Sequence, residues 1–245
     1  MKILLCASKT PDTTTKINFS ADKKSLDNTG VQFILNPNDD HGLAGAMDLK
    51  EKHNGQLTVI HVGDISVEPI LRRCLAIGAD EAILMNTEPA DAYYVAMQIA
   101  EVVRSENFDL VICGRESIDF NGNEVGDMLA EALGMPSVSY VASVEINGNT
   151  ATMSRFIDGG MEKLTVNLPV VISITKEFAE PRIANMRGIM QSRTKTIKIV
   201  EAAPVDALTT LLSLESPPKK SGAVMIDIAE AGKLIEILHE KEKVI

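Results

Sequence analysis

Phe108-Asp109-Leu110-Val111-Ile112-Cys113-Gly114-Arg115-Glu116-Ser117-Ile118-Asp119-Phe120-Asn121-Gly122-Asn123-Glu124-Val125-Gly126-Asp127-Met128-Leu129 is the stretch on which the fold turns. Its opening run, Phe108 to Cys113, is short, apolar and partly β-branched, and it stops at a glycine. Such a run predicts a strand buried on both faces. A polar loop carrying Gly114, Gly122 and Gly126 follows, and the pattern then becomes helical over Val125 to Leu133. Strand, loop and helix in that order make one step of a wound α/β sheet.

The same step recurs on the N-terminal side. Ile3 to Cys6, Leu57 to Val62 and Ala82 to Met85 read as buried strands. Between them, residues 39–53 gather Leu43, Ala46, Met47 and Leu49 near one helical face, residues 66–77 gather Ile70, Leu71, Cys74 and Leu75, and residues 91–104 gather Tyr94, Met97 and Ile99. The expected fold is therefore α/β, a doubly wound and mostly parallel sheet with helices on both faces. Beyond residue 137 the period changes. Val144 to Ile146, Ala151 to Phe156, Glu162 to Val166 and Val170 to Ile174 are short strands punctuated by Asn147-Gly148-Asn149 and Asp158-Gly159-Gly160, which predicts an antiparallel extension.

After Glu180-Pro181 the chain reads as irregular. From Pro181 to Val200 it carries Arg182, Arg187, Arg193, Lys195 and Lys198 and no acid. A second break, Ser216-Pro217-Pro218-Lys219-Lys220-Ser221-Gly222, cannot continue a helix. It precedes a short amphipathic helix over Ala229 to Lys241, with Ile235 and Leu238 on one side. The domain reading is one nucleotide-binding unit over 1–200, including a loop at about 181–195, followed by a linker and C-terminal arm over 201–245.

The 245 residues, 45% hydrophobic, 24% charged and 4% aromatic, have the composition of a globular chain with a sizeable core. A net charge of −10 argues against a broad nucleic-acid or anionic-membrane surface. No apolar run approaches a signal-peptide core, a transit peptide or a membrane span, so a cytoplasmic protein is expected, or one of the mitochondrial matrix in a eukaryote. Cys6, Cys74 and Cys113 are odd in number and widely spaced, which predicts three buried free thiols. His41, His53, His61 and His239 fall into no metal-ligand pattern, and no metal is expected.

In a parallel wound sheet, ligands bind beyond the carboxyl ends of the strands, where the winding reverses. The loops to inspect are Ala7-Ser8-Lys9-Thr10-Pro11-Asp12 and Gly114 to Gly126. The second opens a helix whose unpaired amides suit a phosphate, so an acidic protein can bind an anion without many lysines. The plainer reading is a surface loop whose glycines make turns. There is no dinucleotide GxGxxG after the first strand, no Walker A pattern and no GxSxG elbow. Asp39-Asp40 reads as a pair of acids complementing a helix N-terminus. These features predict a nucleotide-binding, Rossmann-like fold without catalytic residues of its own.

Several motifs together resemble the beta subunit of electron transfer flavoproteins. They are Lys2-Ile3-Leu4-Leu5-Cys6-Ala7-Ser8-Lys9-Thr10-Pro11-Asp12, Ile34-Leu35-Asn36-Pro37-Asn38-Asp39, Leu75-Ala76-Ile77-Gly78-Ala79-Asp80, the loop Gly114 to Gly126, Leu168-Pro169, Glu180-Pro181-Arg182 with Gly188-Ile189-Met190, and Pro217-Pro218. The resemblance covers nearly the whole chain. It implies an electron carrier in which a partner alpha subunit holds the redox-active FAD and the beta subunit buries a structural AMP. By position, the AMP pocket would include Cys6, Asn36, Pro37, Asn38, Asp39, Val62, Gly114, Asp119, Asn121, Gly122, Asn123, Glu124 and Val125. Val125 stands where some members have threonine, leaving only its amide for a phosphate. Members that bifurcate electrons from NADH bind a second FAD here. Asn123, where those have alanine, resembles the AMP type, whereas Phe120, Asn121 and Glu124 are atypical of both.

The resemblance further implies a recognition loop after Glu180-Pro181-Arg182 that anchors acyl-CoA or other flavin dehydrogenases, with Met186 where the family places its inserted leucine. Arg182, Ile183, Arg187, Ile189 and Met190 would surround it. Met186 as core packing is the alternative. The arm, with Leu234, Ile235 and Leu238, would pack on the FAD-bearing domain of the alpha subunit, the alternative being this chain's own core. Electrons would pass on to a quinone oxidoreductase. A reading from a different class is a stand-alone adenine-nucleotide-binding regulator, for which a linker and amphipathic tail have little use.

Overall fold

The structure, a computed structural model, describes residues 1–218 and 222–245; Lys219, Lys220 and Ser221 of the expected linker lie outside the described residues. The chain begins with β1 (Lys2–Cys6), β2 (Lys9–Pro11), β3 (Phe33–Leu35) and α1 (Pro37–His53). It continues through β4 (Gln56–Gly63), α2 (Glu68–Ile77), β5 (Glu81–Asn86), α3 (Ala92–Ser105), β6 (Leu110–Gly114) and α4 (Val125–Leu133). Then come β7 (Ser137–Asn147), β8 (Thr150–Ile157), β9 (Gly160–Asn167), β10 (Val170–Ile174), α5 (Met186–Ser192), β11 (Ile197–Glu201) and α6 (Gly232–Glu236).

Nine strands form one sheet in the order β11-β5-β4-β1-β6-β10-β7-β8-β9, and β2 pairs with β3 separately. Every pairing from β11 to β7 is parallel, and β7-β8-β9 is an antiparallel meander. The winding runs outward from β1 through β4 and β5, then returns to β6 on the other side of β1. The switch point therefore lies between the carboxyl ends of β1 and β6.

Alternation along the strands divides the core into two layers. Ile3 and Leu5 of β1 pack with Leu43, Ala46 and Met47 of α1 and Leu71 and Leu75 of α2. Leu4 and Cys6 face the other way, onto Ile99 and Val103 of α3 and Leu129 and Ala130 of α4. This is the arrangement expected when strands buried on both faces alternate with amphipathic helices. In α1, Gly42 and Gly45 admit Leu5 and the Phe178 ring to the helix surface, so small residues rather than a polar face mark its contacts.

Two expectations are corrected. Val170–Ile174 does not belong to the antiparallel extension: it enters the parallel sheet between β6 and β7. Its unbroken apolar run suits that central position, since both of its faces are covered. Residues 181–200 are not irregular throughout, for they hold α5 and the edge strand β11. Asn185 caps α5 by accepting a hydrogen bond from the Gly188 amide at 2.8 Å. A Cβ on Gly188 would run into the Ala76 carbonyl, so glycine is what lets α5 seat on α2. Among the described residues, no helix is long and apolar enough to cross a membrane.

Candidate functional site

The loops after β1 and β6 and the start of α1 meet at the switch point, and Asp39 ties them together. Its carboxylate accepts from the Ser8 amide at 2.7 Å through one oxygen and from the Gly114 amide at 3.0 Å through the other. Asp39 is only 2% exposed, and burial pushes its carboxyl up to about 7 against the pull of those amides. Asp39 thus does more than complement its helix: it staples two strand-following loops. Asp40 beside it is half-buried, pairing with Arg73 at 2.7 Å through one oxygen while the other is buried without a partner in the protein. A Cβ on Gly114 would run into the Asp39 carboxylate, so the joint requires a residue without one.

Asn36 and Asn38 fix the next stretch. Their amide nitrogens both donate to the Glu116 carbonyl, at 2.9 Å and 2.8 Å. Donation to a carbonyl sets the orientation of the Asn36 amide and leaves its Oδ1 as a buried acceptor with no partner in the protein. Asn36 is 1% exposed, and a buried acceptor without a partner is uncommon in a folded chain; this one lies at the switch point. Pro37 occupies the first turn of α1, where its missing N–H is no loss.

From Arg115 the loop runs outward. Arg115 pairs with Glu116. Asp119 accepts from the Phe120 amide at 3.1 Å, and the Asn121 amide closes a turn onto the Ser117 carbonyl at 2.8 Å. Asn121 and Asn123 both adopt left-handed backbone at φ 51°, a region that asparagine tolerates better than most residues. Glu124 stands at the N-cap of α4 without a capping side-chain hydrogen bond, so the first-turn amides from Val125 onward are open to a ligand. Glu116, Asp119, Glu124 and Asp127 outnumber Arg115 along this loop. An anion placed here would meet amides and the helix dipole and few basic side chains.

At the floor, Cys6 and Cys113 face each other across the β1–β6 pair. All three cysteines are buried and free. The hydrogen bond to Cys113, and then burial, push the Cys6 thiol well above its ordinary range, so it is a neutral wall. Val62 is buried at the carboxyl end of β4. A Cβ on Gly122 would touch the Glu124 side chain at 3.6 Å, an ordinary contact. The residues singled out in the sequence thus gather near the carboxyl ends of β1, β4 and β6, with Asp119 to Gly122 and Glu124 exposed at the rim and Asn123 half-buried. Sequence reasoning missed Ser8, whose amide grips Asp39, and Tyr140, whose hydroxyl accepts from the Asn123 amide at 2.9 Å. Neither has a local signal, because both act across strands. Among the described residues there is no cluster of three or more metal-ligating side chains.

A second surface lies around α5. Arg182 is held by Asp48 and Glu51 of α1, which raise its pKa further, so it anchors the segment to the core. Ile183, Met186, Ile189 and Met190 are exposed, Met186 by 74%. Core packing of Met186 is thereby excluded. Ile183 and Ile189 border a groove with Pro69, Arg72, Arg73 and Ala76. Arg187 is exposed beside them. In the arm, Leu234 and Ile235 are exposed and Leu238 is half-buried, with α6 preceded by a 3-10 turn and followed by a π turn.

Comparison with known proteins adds the family. Residues 24–205 match the electron transfer flavoprotein domain. The chain is 34% identical to the electron transfer flavoprotein subunit beta of Syntrophomonas wolfei over 93% of its own length and 90% of that protein. It is 31% identical to the subunit of that name from Bacillus subtilis over the whole of both. It is also 33% identical to the caffeyl-CoA reductase-Etf complex subunit CarD of Acetobacterium woodii, over 98% of this chain and 99% of that one.

Proposed function

The chain belongs to the electron transfer flavoprotein family as a beta subunit, and from that premise we propose that it buries AMP at the β1–β6 switch point while an alpha subunit holds the redox-active FAD. The observation that carries this reading is the buried, unpartnered Asn36 carbonyl, on a side chain tied to the same β6–α4 loop that ends at the uncapped N-terminus of α4. Together they offer an acceptor for a base or ribose donor and open amides for one phosphate. Cys6, Val62, Asn38 and Asp39 line the floor, and Asp119 to Val125 form the rim. The FAD supplies the one- and two-electron chemistry when bound. This chain's residues bind and orient, and none needs to act as acid, base or nucleophile.

Electrons come from acyl-CoA or other flavin dehydrogenases, which dock on the surface around Met186, and leave to a quinone-linked acceptor. An exposed apolar anchor among Arg187 and Arg193 suits the small interfaces that fast exchange requires. The arm over 201–245 packs on the alpha subunit's FAD domain, giving Leu234, Ile235 and Leu238 a cover. A second reading is an NADH-dependent bifurcating complex with a second FAD in this pocket, since Phe120, Asn121 and Glu124 are atypical of both types.

The test is to co-express the chain with its alpha partner, purify the complex and identify the released nucleotides by mass spectrometry. One FAD and one AMP per dimer is the expected result. Two FAD would transfer the chain to the bifurcating class, and failure to form a dimer would return it to a stand-alone nucleotide binder.

A further inference from the structure

We propose that Tyr140 is a positioning residue for the nucleotide loop, held out of the core by a bulge in β7 so that its hydroxyl fixes Asn123. The proposal rests on the nucleotide reading above. Against β10, Val138 pairs with Ile172 and Val141 with Ile174, so β7 spends one residue more than its partner over the same span. Such a bulge re-aims a side chain, and bulges gather beside functional sites.

The alternation of the strand records the same event. Val138 and Val141, three apart, are both buried in the layer beneath α1 and α2. A regular strand brings i and i+2 to one face, which would send residue 140 inward with Val138. The extra residue resets the phase, and Tyr140 points outward at 39% exposure. Its backbone adopts φ 62°, where an aromatic side chain is a genuine outlier. Glycine would turn the same corner without strain, so the bulge by itself does not explain a tyrosine. What the tyrosine adds is its hydroxyl, which accepts from Asn123 Nδ2 at 2.9 Å.

Two neighbours reinforce the brace. Ser137 and Ser139 donate their hydroxyls to Asp127 in the first turn of α4, at 2.8 Å and 3.1 Å. The Tyr140 amide in turn reaches Ser173 Oγ of β10 at 3.4 Å. The bulge thus grips both Asn123, two residues before the helix, and the helix's first turn. Asn123, itself left-handed, sits where the loop hands over to the phosphate-facing amides. Releasing it lets the loop leave the binding-competent form, and apparent affinity falls by the fraction of time it is away.

The test uses the heterodimer stripped of nucleotide, titrated with AMP and with FAD by calorimetry, alongside the melting temperature of the nucleotide-free complex. Tyr140→Phe should weaken whichever nucleotide the wild type binds by about three- to tenfold, the worth of one hydrogen bond, and leave that melting temperature unchanged. Tyr140→Gly should show the same loss with a melting temperature at least as high as wild type, because the strain is relieved. Adding Asn123→Ala to Tyr140→Phe should cost nothing more than the larger single effect. Wild-type affinity in Tyr140→Phe, or a loss that tracks a lower melting temperature, overturns the positioning role alone. A wild-type complex that binds neither nucleotide overturns the nucleotide reading and this role with it.

Discussion

Two buried titratable residues near the switch point work against each other. Burial pushes Asp39 up from 3.8 to about 7, so between those values the folded chain keeps a proton that the unfolded chain has lost, and stability falls as pH rises. Burial pushes His61 down from 6.5 to about 4, so across that window the unfolded chain holds the extra proton, and stability rises with pH. His61 is thereby neutral, with its Nδ1 2.7 Å from the Ala7 carbonyl. The two slopes offset between about pH 4 and 6.5. Asp39→Asn should uncover the histidine term as a stability that climbs by up to about 1.4 kcal/mol per pH unit across that range. Denaturant midpoints of wild type and variant against pH check it, and a variant profile as flat as the wild type's would refute the opposition. The sequence shows an acid in the first turn of a helix, and a cap is the fair inference. That Asp39 turns inward to two loops depends on Ser8 and Gly114, 31 and 75 residues away.

Among the elements, α3 carries a restraint that its amphipathic pattern conceals. Gln98 is fully buried and exchanges two hydrogen bonds with Ala203, donating to its carbonyl at 3.0 Å and accepting from its amide at 2.8 Å. Asp91 caps α3 through the Tyr94 amide and also accepts from the Leu208 and Thr209 amides, at 2.7 Å and 2.8 Å. The segment that leaves β11 is therefore strapped along this helix before the arm begins. Gln98→Met keeps the volume and removes both bonds, exposing two backbone groups without partners, a loss of roughly 1–3 kcal/mol. Limited proteolysis with mass mapping should then show cleavage within 203–215 accelerating about tenfold, and an unaltered pattern would mean that Asp91 alone holds the strap. Strands β1, β4, β5 and β6 and their helices were legible because each is a compact run with one period. Strand β11 was not, being five residues at an edge, Ile197-Lys198-Ile199-Val200-Glu201, with one base, one acid and no sustained period. The place of β10 was hidden for another reason: an apolar run marks burial but names no neighbour.

At the scale of the molecule, the net charge of −10 coexists with a basic, acid-free stretch around α5. Arg182 and Lys198 of that stretch answer acids of this chain, whereas among the described residues Arg187 and Arg193 have no acidic partner. That division separates anchoring charge from charge left for a docking partner. Met186→Ala should slow electron transfer from the dehydrogenase by about tenfold, the scale of one interface hot spot, without releasing nucleotide. Stopped-flow reduction of the complex measures it, and unchanged kinetics would remove Met186 from the docking surface. The amino-acid sequence by itself determined the wound α/β class, the glycine-bearing loop before α4 and the family, because periodicity, glycine placement and motif order are local properties of the chain. Only the tertiary structure decided that Asp39 staples two loops, that β10 enters the parallel sheet, and that Tyr140 leaves the core to reach Asn123. Each of those depends on which distant segments become neighbours, and a one-dimensional pattern does not carry that information.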